Sequence, residues 1–199
     1  MTCVGVLALQ GDVREHRSML ESLGVDVREV RTEEDFEGID GLVIPGGEST
    51  TMSRLADQFH LWPALDAARE RALPMFGTCA GLIMLADRVQ DGRPDQRSIG
   101  GLDVTVRRNA FGRQVDSFET SVDLPELAIT DFPAVFIRAP WVEEVGPEVE
   151  VLGRIDEGER AGTIVAVRSG VVFATAFHPE LTADARVHEI FVDMVRSRS

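Results

Sequence analysis

The 199-residue sequence predicts an α/β protein of three layers, built on a doubly wound, mostly parallel sheet. Three observations lead there. The opening run "CVGVLAL" (residues 3–9) is apolar without polar alternation, the pattern of a strand covered on both faces. A helical period follows over residues 13–23, with Val13, His16, Leu20 and Leu23 on one face and Gly24 as the stop, and then "VDVREV" (25–30) and "GLVI" (41–44) read as a second and a third strand. Finally, the places where such a fold gathers ligands, the carboxyl ends of its strands, carry unusual residues: Gln10, "PGGEST" (45–50), and Cys79 after "LPMFG" (73–77).

The rest of the chain fits this frame. Residues 101–176 hold short strand-like runs, "LDVTVR", "AVFIRA", "TIVAVR" and "VVFATAF". A last helix, with Thr182 as its expected N-cap, is expected to bury Val187, Ile190, Phe191, Met194 and Val195. With no repeat, linker or low-complexity tract, residues 1–199 read as one domain.

Composition removes several function classes. The 44% hydrophobic and 27% charged content is that of a globular protein, and no apolar stretch nears the roughly 20 residues that span a bilayer. The apolar N-terminus has no basic region before it and runs into a charged segment, so it reads as a strand and not a signal peptide, which implies a cytoplasmic protein. A net charge of −14 argues against a nucleic-acid partner. Cys3 and Cys79 make no disulfide framework and no metal-spaced cluster, so structural zinc is not expected.

"GTCAG" (77–81) has the form of a nucleophile elbow, in which glycines permit a sharp strand-to-helix turn that presents the central side chain. Cys79 stands where serine is usual. At a helix start the dipole and nearby donors favour a thiolate, and the N–H of Ala80 can face a developing oxyanion. The elbow alone also suits a buried structural cysteine.

A thiol that attacks an amide needs a base, and the base an orienting group. Of four histidines, His16 and His60 lie in helical or turn contexts and His188 sits inside the last helix, where a solvated or core-edge role is expected. His178 differs: it follows an apolar strand and precedes Pro179. Extended geometry around that X-Pro step would put Glu180 on its side, as acceptor for one ring nitrogen while the other faces Cys79. In "IPGGEST" the paired glycines let the backbone approach a ligand and offer the Gly47 N–H as a second oxyanion donor; a plain tight turn with Ser49 capping the next helix is the alternative.

At these residues the chain resembles class I (triad) glutamine amidotransferases, whose Cys-His-Glu triad hydrolyses the side-chain amide of glutamine. More narrowly, it resembles the glutaminase subunit of pyridoxal 5'-phosphate synthase. The likeness rests on "LALQGDVREH" (7–16), "GLVIPGGESTTM" (41–52), "GTCAGLI" (77–83), "RNAFGRQVDSFE" (108–119), "FIRAP" (136–140) and "FHPELT" (177–182).

The resemblance implies a flavodoxin-like fold with Cys79, His178 and Glu180 as triad and a γ-glutamyl thioester intermediate. It also implies a glutamine pocket of Gly47, Glu48, Ser49, Arg108, Ile137 and Arg138, a partner interface at Gln10, and no cofactor or metal. The partner it implies is a synthase subunit that receives the ammonia, with a pocket poorly organised until that partner binds. Two rivals stay open at this level. One is a glutaminase for another ammonia-using synthase, against which the partner-facing segments speak; the other is a non-catalytic regulatory module, against which the intact triad speaks.

Overall fold

A computed structural model describes residues 2–93, 95–108 and 117–198. Five parallel strands form the half of the main sheet that matters most: β1 (Cys3–Leu7), β2 (Asp26–Val30), β3 (Gly41–Ile44), β4 (Met75–Thr78) and β12 (Val172–Thr175), in the order β2-β1-β3-β4-β12. Every residue of β1, β3, β4 and β12 is buried, which is why their sequences show no alternation. Beyond β12 the sheet continues through β11 (Ile164–Ser169), β9 (Trp141–Val145) and β6 (Leu102–Arg107), each antiparallel to the strand before it, to β5 (Ala86–Gln90), which is parallel to β6, with β10 (Glu150–Arg154) paired antiparallel to β11. A separate antiparallel hairpin joins β7 (Ser117–Leu124) to β8 (Ile129–Ile137).

The strand order sets the layers. The chain steps one way from β1 to β2 and the other way from β3 to β4, so right-handed crossovers put α1 (Val13–Ser22) on one face and α2 (Ser49–Gln58) with α3 (Trp62–Glu70) on the other. α5 (Arg186–Arg196) packs with α1, and α4 (Ala80–Leu85) packs with α2. Side-chain alternation along β4 serves both layers. Phe76 faces the histidine rings of α1 and α5, whereas the backbone at Gly77 lies against α4.

Three local expectations are corrected. Glu48, not Ser49, caps α2: its carboxylate accepts from the N–H groups of Thr50 and Thr51, at 3.1 and 2.7 Å, and places an anion at the positive end of the helix. The last helix starts at Arg186 after Ala185, because Thr182 instead closes the preceding 3-10 turn, donating to the Pro179 carbonyl at 2.9 Å. Its buried face is Val187, His188, Phe191, Val192 and Val195, with Ile190 and Met194 only half-buried. Among the described residues, no helix is long and apolar enough to cross a membrane.

Glycines let the elements meet. A Cβ on Gly81 would overlap the Ile44 carbonyl oxygen, and one on Gly77 would sit 2.6 Å from the Gly81 carbonyl. Only bare backbone allows α4 to start this close to β3 and β4. Gly81→Ala is therefore expected to destabilise the fold by about 2 kcal/mol or more, read as a lowered denaturant midpoint; an unchanged midpoint would show that α4 has room to slide.

Candidate active site

The carboxyl ends of β1, β3, β4 and β12 meet where the strand order reverses, the position at which open α/β sheets bind their ligands. The loop after β1 brings Gln10 and Asp12, the loop after β3 brings Gly46 to Ser49, β4 ends at Cys79, and β12 leads into His178.

Cys79 holds φ 50° and ψ −100°, a conformation rarely adopted by a residue with a side chain. The surroundings enforce it. Its N–H donates to the Thr175 carbonyl at 2.8 Å, which ties the elbow to β12, and the close approach of Gly77 and Gly81 fixes the turn on the other side. The thiol is 5% exposed and lies 3.7 Å from the Ile137 carbonyl. Ala80 is the first residue of α4, so its N–H has no acceptor within the helix.

His178 donates its own N–H to the Val135 carbonyl at 2.8 Å and opens a 3-10 turn over Pro179–Leu181. That turn corrects the expected extended geometry: Glu180 comes back under the ring by tight winding, not by extension. Nδ1 lies 2.9 Å from Glu180 Oε1 and 3.2 Å from Asp12 Oδ2. Carboxylates only accept, so Nδ1 donates to them, and Nε2, buried and without a hydrogen-bond partner among the described residues, is the nitrogen left for Cys79, whose thiol bears on the ring's titration. Burial alone would lower the His178 pKa, but the influence of Asp12, Cys79 and Glu180 outweighs it and pushes it up to about 12. Burial would raise the Glu180 carboxyl, yet His16 and His178 hold it well below the ordinary carboxylate range. A thiol beside an imidazole whose far nitrogen is held by a buried carboxylate is equipped for nucleophilic attack with general-base assistance.

Sterics explain the paired glycines. A Cβ on Gly46 would strike the His178 ring, and Gly47, at φ 149°, runs beneath the Gln10 amide. Gln10 Oε1 accepts from the Glu48 N–H at 2.6 Å, so its side chain pins the Gly47–Glu48 segment.

The other expected pocket residues cluster at the same rim. Arg108 donates to Glu48 Oε1 at 2.9 Å and, at 3.0 Å each, to Thr50 Oγ1 and Gln96 Oε1. The cation and the anion expected to read a free amino acid thus neutralise each other. Ser49 is 1% exposed with its hydroxyl unpaired, Ile137 is exposed at the end of β8, and Arg138 follows it at φ 45°, in the left-handed region. Residues 109–116, within the fourth segment of the resemblance, lie outside the described residues.

Four nearby residues carry no local sequence signal for a site role: Asp12, Thr78, His188 and, in part, His16. His188, expected at a solvated or core-edge position, is fully buried, and so is His16. Burial beside His16 pushes the His188 pKa down to about 3, so the ring is neutral. The one available signal is His16 itself, a polar residue on the apolar face of its helix. Asp12, His178 and Glu180 offer three ligand atoms within 4.8 Å of one another, a set able to hold a metal ion, although His178 Nδ1 is already shared by the two carboxylates.

Comparisons with known proteins first define the class. The structure superimposes on a crystal structure of a glutamine amidotransferase with a TM-score of 0.88 and 45% identity, covering 97% of this chain and 98% of that one. A chain in the structure of PurLQS from Thermotoga maritima shares the fold at a TM-score of 0.65 and 17% identity, over 96% of this chain and 98% of that one. More narrowly, residues 6–197 match the model of the SNO glutamine amidotransferase family, and the chain belongs to that family. Relatives named pyridoxal 5'-phosphate synthase subunit PdxT are 60% identical in Acidothermus cellulolyticus, over 98% of this chain and 95% of that protein, and 58% identical in Salinispora arenicola, over 98% and 96%.

The buried titrating groups set how stability varies with pH. Below about 6.5 the unfolded chain protonates His188 while the folded chain refuses the proton, so stability falls as pH drops, and below about 4.5 protonation of Glu180 adds to the loss. His178 acts in the opposite sense: its contribution is complete below about 6.5 and is lost as pH rises toward 12. Denaturant midpoints are expected to peak near pH 6.5, with His188→Phe flattening the acid limb; an unaltered acid limb in that variant would refute the neutral buried ring.

Proposed function

We propose that residues 1–199 form one glutaminase domain that hydrolyses L-glutamine to glutamate and ammonia and passes the ammonia to a separate synthase subunit making pyridoxal 5'-phosphate, in the cytoplasm. Cys79, His178 and Glu180 are the triad, with Gly47 and Ala80 as oxyanion donors. With the thiol's proton already held on His178 Nε2, the Cys79 sulfur adds to the side-chain amide carbon. The negative oxygen so formed faces the N–H groups of Gly47 and Ala80. As the C–N bond of this adduct breaks, His178 protonates the leaving nitrogen, which departs as ammonia and leaves a γ-glutamyl thioester. Water, deprotonated by His178, then releases glutamate and the thiol. These steps ask nothing of a metal or a cofactor.

The observation that carries this reading is the His178 ring: Nδ1 locked by a buried carboxylate, and Nε2 buried and left for a cysteine on a strained elbow that bears on the ring's titration. Family membership and the relatives' naming as synthase subunits support the substrate and the partner. Glu48, Ser49, Gly47, Arg108, Ile137 and Arg138 form the pocket; glutamine must part Glu48 from Arg108, its ammonium and carboxylate taking over their charges. Gln10 belongs to the partner interface, and its bond to the Glu48 N–H offers a route for docking to release the Gly47 peptide toward the oxyanion.

The test is glutamate release by the chain alone and with the synthase subunit of the same genome. Activity is expected to rise strongly with the partner and to fall at least about a thousandfold in Cys79→Ala. Arg108→Ala is expected to raise KM roughly tenfold or more by removing the charge-assisted contact to the substrate carboxylate. Equal turnover with and without partner would remove the docking role of Gln10, and activity surviving in Cys79→Ala would remove the triad.

A further inference from the structure

The chemistry above uses one side of Glu180, and the other side meets a buried polar chain that it leaves unexplained. Glu180 Oε1 lies 3.4 Å from Nε2 of His16 in α1, with both side chains fully buried. Thr78, the residue before Cys79, places its hydroxyl 3.1 Å from that nitrogen and 3.3 Å from Oε1. Behind them, His16 Nδ1 meets Nε2 of His188 in α5 at 3.0 Å, and His188 Nδ1 has no partner. Apolar side chains of similar volume would fill this space without the cost of burying polar groups, so one buried imidazole against Glu180 and a second bonded behind it call for a function.

Hydrogen-bond accounting fixes the protons. A buried N–H without an acceptor is rarer than a buried lone pair without a donor, so the orphaned His188 Nδ1 is the bare nitrogen and His188 carries its proton on Nε2. That proton points at His16 Nδ1, which therefore accepts, and the His16 proton sits on Nε2, aimed at Thr78 Oγ1 and Glu180 Oε1. The Thr78 hydroxyl in turn donates to Glu180. Two donors, His178 Nδ1 and Thr78 Oγ1, reach one carboxylate oxygen, and His16 Nε2 lies 3.4 Å from it while bonding Thr78 Oγ1; the other oxygen, Oε2, is buried with no partner among the described residues.

We infer that His16 is a positioning residue of the reaction: with its tautomer set by His188, it anchors Glu180 as an ionised acceptor for His178 and keeps His178 Nε2 turned to Cys79. This rests on the triad reading given above. The charged groups around the cluster show why an anchor is needed. Asp12, on the loop before α1, reaches the same Nδ1 at 3.2 Å and is 32% exposed in its side chain, and Glu15, in the first turn of α1, adds a second negative charge that feels Glu180. If Glu180 slackens, Asp12 is the carboxylate that takes the ring, from a different direction.

The experiment measures kcat and KM for glutamate release by the full chain with its synthase partner in His16→Leu, His16→Gln, Glu180→Gln, the double variant His16→Leu/Glu180→Gln, and Cys79→Ala. His16→Leu is expected to lower kcat roughly tenfold or more with KM within about twofold, and His16→Gln, whose amide can reach Glu180, to recover most of that loss. In the Glu180→Gln background His16→Leu is expected to cost nothing further, which a merely structural role would not produce. Nitrogen-15 NMR of histidine-labelled wild-type protein reads the tautomers directly and stands even if His16→Leu fails to fold: protons on Nε2 of both His16 and His188 are expected. A proton on His16 Nδ1, a kcat within about twofold of wild type in His16→Leu, or an equal loss in the Glu180→Gln background each overturns the inference. Glutamate release that survives in Cys79→Ala or is unaffected by Glu180→Gln overturns instead the triad reading beneath it.

Discussion

A carboxylate taken out of water needs partners on every side, and the Glu180 side chain is fully out of water. Oε1 meets that demand with contacts from three separate elements, whereas Oε2 is buried with no hydrogen-bond partner among the described residues. His178 comes from the turn after β12, His16 from α1 and Thr78 from the end of β4, so one carboxylate draws three separate elements to a point. α5 joins through His188. A buried ion in this position acts less as a source of net stability than as a device for specifying one arrangement among several of similar packing, because any other arrangement leaves a charge unpaired.

The parallel half of the sheet supplies the rigid frame on which that arrangement rests. Four carboxyl strand ends deliver Gln10, Gly47, Cys79 and His178 to one rim, and the fully buried strands behind them leave little freedom for the rim to shift. The backbone approach is closest where the sequence has glycine. Gly81 lies against the Ile44 carbonyl, Gly46 against the His178 ring, and Gly11 against the Gly46 carbonyl, so three loops pack without side chains between them. The strain stored at Cys79 is maintained by this packing and by its bond to Thr175.

The rim around Glu48 is organised differently from the buried cluster of Glu180 and His178 behind it. Glu48 at once caps α2, pairs with Arg108 and yields its N–H to Gln10, so the helix, Arg108 and the loop after β1 are linked through one residue. Its carboxyl is half-exposed and screened by water, unlike that of Glu180. An interior that is locked and a rim held by exchangeable contacts suit an enzyme whose chemistry must be ready but whose pocket must open for glutamine.

The sequence by itself determined the fold class, through unbroken apolar strands and glycine-marked strand ends, and pointed to the candidate site, through a cysteine in an elbow and a His-Pro-Glu step. Those features are local: strand periodicity, turn sterics and the order of a few residues are written in neighbouring positions. What local pattern misreads or misses depends on distance in space. Ser49 has the side chain of a cap, yet Glu48 reaches two N–H groups at once. His16 and His188 stand 172 residues apart, and no local pattern says that two histidines on two helices touch beside a buried carboxylate. Asp12 likewise reads as an ordinary loop acid, and only the fold brings it to His178. Residue types and turns set which chemistry is available; only the packing of α1 and α5 against β4 decides which protons are held, and where, because burial and pairing are properties of the assembled core.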